Sequence, residues 1–133
     1  MRYFTIKELC DSDKAVELRI KNEPKLQEVE RMRELIDNVL DPLREAYGKP
    51  IKVNSGFRTK ELNDVLPGAS KTSQHMRGEA ADITVFTKEG NKWLFDYIKN
   101  NLPFDQLINE YDYSWVHVSY TTERTNRQKI TKT

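Results

Sequence analysis

Residues 73–82 read SQHMRGEAAD and residues 115–120 read WVHVSY, and these two stretches hold both histidines of the chain, His75 and His117. In the first, Asp82 sits in an otherwise apolar run, Ala80 to Val85, where a carboxylate is costly to bury unless a cation or several donors satisfy it. Alternation along a strand puts Ala80, Asp82 and Thr84 on one face and Ala81, Ile83 and Val85 on the other. The same rule separates Trp115, His117 and Ser119 from Val116, Val118 and Tyr120. As neighbouring strands, the two runs present Asp82 and His117 side by side, and His75 reaches them from a loop that folds back through the flexible Gly78.

The rest of the chain supplies what such a pair of strands needs for cover. Between Pro24 and Gly48, residues Leu26, Val29, Met32, Leu35, Ile36, Val39, Leu40, Leu43 and Tyr47 recur at helical steps, which predicts one long core helix. Pro42 lies inside that stripe and predicts a kink, while Gly48 and Pro50 end the helix. A short strand from Ile51 to Val53 leads into SGFRT, residues 55–59. Helices are predicted over Thr59 to Val65, closed by Pro67-Gly68, and over about Lys88 to Asn101, with Trp93, Leu94, Tyr97 and Ile98 turned inward. Further strands are predicted at Phe104 to Glu110 and Trp115 to Tyr120, joined as a hairpin by YDYS. The class is α+β, helices packed on a small antiparallel sheet. One domain is expected over residues 1–120, followed by a polar tail, 121–133, that packs loosely.

Two imidazoles and one carboxylate on separate elements, with a fourth position open, match the donor set of catalytic zinc. Each piece also has a plainer reading, since a lone histidine is usually a satisfied polar group and a lone buried aspartate usually caps a turn or pairs with arginine. The motifs carry the matter further. SGFRT, the spaced set Ser73, His75, Gly78, Ala80 and Asp82, and the WxH of Trp115 and His117 closely resemble the zinc D-Ala-D-Ala carboxypeptidase and L-alanyl-D-glutamate endopeptidase superfamily, whose fold the Hedgehog signalling domain shares. The resemblance runs from about Tyr3 to Tyr120. It implies one Zn²⁺ per chain held by His75, Asp82 and His117, and hydrolysis of a bond involving a D-amino acid in peptidoglycan stem peptides by metal-activated water and a carboxylate base.

Arg58 occupies the position of the family arginine in SGFRT, and its planar fork suits a substrate carbonyl or carboxylate; the alternative is a structural salt bridge to Glu61 or Asp64. Many relatives carry a glutamate three residues before the last histidine, where this chain has Ser114. Glu110, which ends FDQLINE, matches the glutamate of Hedgehog-like members and is the expected base, with Asp112 in reserve. Ser73 and Gln74 are candidates for binding substrate or orienting His75, Trp115 for walling the cleft, and Asp105 for supporting a ligand or ending a strand. Because Ser114 departs from the pattern, a second reading stands beside the enzyme: a zinc-stabilised module that binds a cell-wall peptide or a protein without cutting it.

Composition excludes several other classes. Lys and Arg number 22 against 21 acidic residues, for a net charge of +1, so no strong field draws the chain to nucleic acid or an anionic membrane. One cysteine, Cys10, rules out an internal disulfide and any CxxC site, and it reads as a small buried hydrophobe. The N-terminus lacks the apolar core of a signal peptide and no apolar run is long enough to span a membrane. The expectation is a monomer that is cytoplasmic as synthesised, with no membrane insertion; release by a phage-type holin or virion is an alternative context, compatible with the enzyme reading, for how such a chain reaches the wall.

Overall fold

A computed structural model describes every residue from Met1 to Thr133. The sheet has five strands: β1 (Lys52–Ser55), β2 (Ala80–Thr84), β3 (Gln106–Glu110), β4 (Trp115–Ser119) and β5 (Lys129–Lys132), in the order β1-β2-β4-β3-β5. The α+β class is as predicted. One face of the sheet is covered by helices and the other is left open for the site.

The covering layer comes mainly from the long helical stripe. It forms α3 (Leu26–Leu35), a π-helical turn (Ile36–Leu40) and α4 (Asp41–Tyr47), after two short N-terminal helices, α1 (Ile6–Cys10) and α2 (Asp13–Glu17), that the periodicity does not announce. The expected kink at Pro42 takes the form of that π turn. Proline has no N–H to give and its ring crowds the carbonyl four residues back, so a widened turn just ahead of it, closed by Asp41 N donating to Ile36 O, relieves both problems. Leu35, Ile36, Val39, Leu40 and Leu43 are completely buried and pack with Ala81, Ile83, Leu107, Val116 and Val118 from the sheet. Gly48, at φ +78°, ends the helix in the left-handed conformation. α5 (Lys60–Val65) starts at Thr59, whose hydroxyl accepts from Leu62 N. α6 (Lys88–Asn101) adds Leu94, Phe95 and Ile98 to the core. Trp93, predicted to point inward, is instead 39% exposed, because its ring stacks on Tyr97 and tilts against Tyr47 at the core margin.

The tail departs most from expectation. Residues 129–132 form β5, which pairs in parallel with β3 through Gln106↔Lys129 and Ile108↔Thr131, so the sheet is mixed. Its anchor is Asp105, which is fully buried just before β3. Asp105 accepts from Arg124 Nη1 at 2.6 Å and Nη2 at 2.9 Å, and from Arg127 N at 2.9 Å and Nη2 at 2.8 Å. Such a buried carboxylate needs cationic partners, and the tail supplies them although it has almost no apolar residue to bury.

Burial alone would raise the Asp105 pKa, but the hydrogen bonds from Arg124 and Arg127 outweigh it and hold the carboxyl well below the ordinary range. Its stabilising effect is therefore complete above the ordinary aspartate value of about 3.9 and is lost as pH falls through the lower folded value. Asp105→Asn is expected to lower stability at pH 7 by roughly 2–3 kcal/mol and to give a shallower decline of stability below about pH 4. Urea unfolding across pH would show this, and wild-type and variant curves of equal slope there would refute it.

Candidate metal centre

Strand register does for the site what the alternation predicts. Asp82 lies directly opposite His117 across the antiparallel β2–β4 pair, and Ile108 of β3 is opposite His117 on its other side. Asp82 Oδ1 is 2.9 Å from His117 Nδ1 and Asp82 Oδ2 is 3.3 Å from His75 Nε2. The two imidazoles meet edge to face with centroids 5.1 Å apart, and one donor atom from each of the three residues falls within 4.8 Å of the others.

His75 arrives on a short 3₁₀ turn, Gln74–Arg77, whose backbone is tied from both ends. Ser73 Oγ accepts from His75 N at 3.1 Å, and Gly78, at φ +80°, closes the turn. SGFRT braces the turn a second time. The β1–β2 pairing carries a bulge between Val53 and Ser55, after which the chain leaves the sheet, Gly56 O lies 2.7 Å from His75 Nδ1 and Arg58 N donates to His75 O at 3.0 Å. Nδ1–H therefore donates to a carbonyl and Nε2 is left with its lone pair directed at Asp82, the usual way a protein orients an imidazole ligand. Gly56 is required by proximity, since a Cβ there would lie 2.3 Å from Leu9 O.

The electrostatics fit a cation. His75 is 2% exposed, and burial pushes its pKa below the ordinary imidazole value against the opposing pull of Asp82, which favours the neutral, ligating form. Burial would raise Asp82, but the histidines in their protonated form, by charge and by hydrogen bonds, hold its carboxyl well below the usual range, so it is already ionised where they titrate. Imidazole nitrogens and an anionic oxygen on a solvent-facing sheet surface are the donor set that zinc takes.

The triad lies in a cleft of about 880 Å³. Arg58, Ser73, Gln74, Glu110 and Trp115 also line it. Arg58 is not tied up by Glu61 or Asp64; it donates from Nη2 to Ser73 Oγ at 3.4 Å, and its Nε is buried without a partner. Burial lowers its pKa while Asp82 opposes that shift, yet an arginine stays protonated. Gln74 Nε2 donates to Asp105 Oδ2 at 3.1 Å, so Asp105 touches the ligand-bearing turn through Gln74. Glu110 is opposite Trp115, on the cleft-facing side of the sheet with His117, and Glu110 Oε2 accepts from Thr133 Oγ1 at 3.1 Å. Asp112 lies elsewhere: it pairs with Lys88 Nζ at 2.7 Å and lines a separate hollow with Asn54 and Ser114. Ser114 Oγ donates to Tyr111 O within the hairpin turn.

Several supports were not singled out from the sequence. Asn22 donates to Cys10 O and Phe57 O and accepts from Thr59 N, clamping SGFRT against α1. Glu79 is buried beside the cleft with Oε1 on Arg77 Nε. Arg124 and Arg127 line the same cleft. Only SGFRT, as a quoted motif, pointed toward any of these contacts.

An α+β sheet that sets two imidazoles and a carboxylate in an open cleft defines a candidate metal-binding protein. The chain is a member of the Peptidase M15 family, whose model matches residues 2–119. Membership implies a zinc-dependent metallopeptidase acting on a peptide. No curated protein matches the chain.

Two glycines separate backbone strain from steric clash. Both Gly48 and Gly78 have φ near +80°, but a Cβ at Gly48 meets open space whereas one at Gly78 lies 2.6 Å from Glu28 O. Gly48→Ala should cost about 1 kcal/mol. Gly78→Ala should cost clearly more and also weaken zinc binding, because it displaces the turn that carries His75. Denaturant unfolding and a competitive zinc titration measure the two effects; equal costs for the two variants would contradict the close approach.

Proposed function

We propose that the protein is a zinc peptidase that hydrolyses a bond involving a D-amino acid in peptidoglycan stem peptides, as a carboxypeptidase or an endopeptidase. The observation that carries this reading is the convergence of one ligand atom each from His75, Asp82 and His117 within 4.8 Å in a cleft shared with Arg58 and Glu110. His75, Asp82 and His117 are the ligands in this reading, and zinc held there supplies a Lewis acid and acidifies water.

The chain's own residues supply the rest. Glu110 stands diagonally from His117 across the β3–β4 pair, a separation of roughly 7–8 Å that leaves room for water and the scissile carbonyl between them. Its carboxylate takes the proton of the attacking water and passes it to the leaving amine. Arg58, with an unpartnered Nε and a nearly free fork, binds the substrate carbonyl or terminal carboxylate. Ser73 and Gln74 hold the His75 turn and face the peptide, and Trp115 walls the cleft beside Glu110. No helix is long and apolar enough to cross a membrane.

A non-cutting, zinc-stabilised binding module is favoured by one feature, Ser114 at the position where many relatives carry their base. Mass spectrometry of purified muropeptides after incubation with zinc-loaded protein distinguishes the two. The enzyme reading predicts loss of a terminal D-alanine or a split at an internal stem bond, abolished in Asp82→Ala together with zinc. It also predicts a fall in turnover of roughly 100-fold or more in Glu110→Gln with zinc retained. Full activity in Asp82→Ala, or no product from wild type carrying one zinc per chain, would overturn it.

A further inference from the structure

The cleft continues past the triad along β3. Its floor is Gln106, Ile108 and Glu110, whose side chains share one face, and Ile108 is opposite His117, so the triad lies at mid-length. Glu110 marks one end. At the other, Arg124 and Arg127 reach in from the tail onto Asp105, the residue next to Gln106.

These two arginines are held rather than spent. Each side chain is 46% exposed, while Asp105 beneath them is 0% exposed. The bonds to Asp105 use Nη1 and Nη2 of Arg124 and Nε and Nη2 of Arg127, leaving Arg124 Nε and Arg127 Nη1. Two cations on one carboxylate leave a positive charge over. Glu79 also acts on Arg124, but it is shared with Arg77, and Glu123 is engaged by Arg31 and Arg77, so the four arginines of the cluster still outnumber its three carboxylates. A buried anion thus fixes two planar forks at the cleft wall with donors to spare, a preorganised receptor for a second anion.

We propose that Arg124 and Arg127 form a substrate subsite for a carboxylate of the peptide, two or three residues away from the scissile bond. The spacing follows from the strand: Asp105 and Gln106 lie three and two residues from the Ile108–His117 row, roughly 7–10 Å at strand rise. An extended peptide covers that distance in two or three residues at roughly 3.3–3.6 Å each. The subsite is distinct from Arg58, which sits beside the triad close enough to feel the charge of Asp82. The proposal rests on the peptidase reading for the position of the scissile bond.

The test is a set of synthetic D-amino-acid-containing peptides, paired so that one residue carries either a free carboxylate or its carboxamide, at one to four residues on each side of the D-residue. Binding is measured calorimetrically on the zinc-free protein, and kcat/KM on the zinc-loaded protein. The free acid should bind roughly tenfold or more tightly than its amide at one distance of two or three residues and should lose that preference in Arg127→Gln and Arg124→Gln. Arg127→Lys, which keeps the charge without the fork, should recover only part of it. The wild-type acid and amide comparison does not depend on any variant folding, and each variant is checked by its melting temperature. Equal binding of acid and amide at every position, with cleavage intact, overturns the subsite and leaves the peptidase standing. A clear acid preference in binding, with no cleavage of any peptide, keeps the subsite and overturns the peptidase.

Discussion

The pairing of β2 with β4 is the constraint on which everything else depends. It sets Asp82 opposite His117 and, on the reverse side, Ala81 and Ile83 against Val118 and Val116 in the core. A slip of one residue in β2 would drive Asp82 among apolar side chains and turn Ile83 into the cleft, and the same slip in β4 would do so with His117 and Val116. The chemistry and the hydrophobic core are therefore specified by the same ladder, and each penalises errors in the other. The sheet needs no further device to bring these two donors together.

The third donor needs more help, because a loop has no ladder. His75 is fixed by backbone groups on both sides: the Gly56 carbonyl at its ring, the Arg58 N–H at its carbonyl and the Ser73 hydroxyl at its N–H. Its ring is almost sealed from water, which favours the neutral form, whereas the protonated imidazoles lower the pKa of the buried Asp82 against the effect of burial. Rigid backbone contacts, made possible by glycines at 56 and 78, place a soft donor within reach of a hard anion.

Much of this was legible in the sequence, for identifiable reasons. Period-two alternation in AADIT and WVHVS put Asp82 and His117 on one face, and the three- and four-residue steps from Leu26 to Tyr47 marked the core helix. What escaped were features in which polar contacts overrule composition. TTERTNRQKITKT contains one large apolar residue, Ile130, and reads as loose, yet two arginines and a buried aspartate make it a strand. Asp112 looked available because a four-residue turn between strands is normally free. Instead Tyr111, Asp112 and Tyr113 all adopt left-handed backbone angles, with Asn91 donating to the carbonyls of Tyr113 and Ser114, and Asp112 is turned toward Lys88. Side-chain hydrogen bonds across such distances leave no periodic trace.

The arrangement of the tail also has a consequence for synthesis. Phe104 O, Asp105 O and Asn109 O each accept a backbone bond from residues 128, 129 and 133, and these partners emerge from the ribosome after every residue of the triad. A nascent chain thus possesses His75, Asp82 and His117 before it possesses one wall of their cleft. The cleft is closed only once that later-made strand has docked on β3.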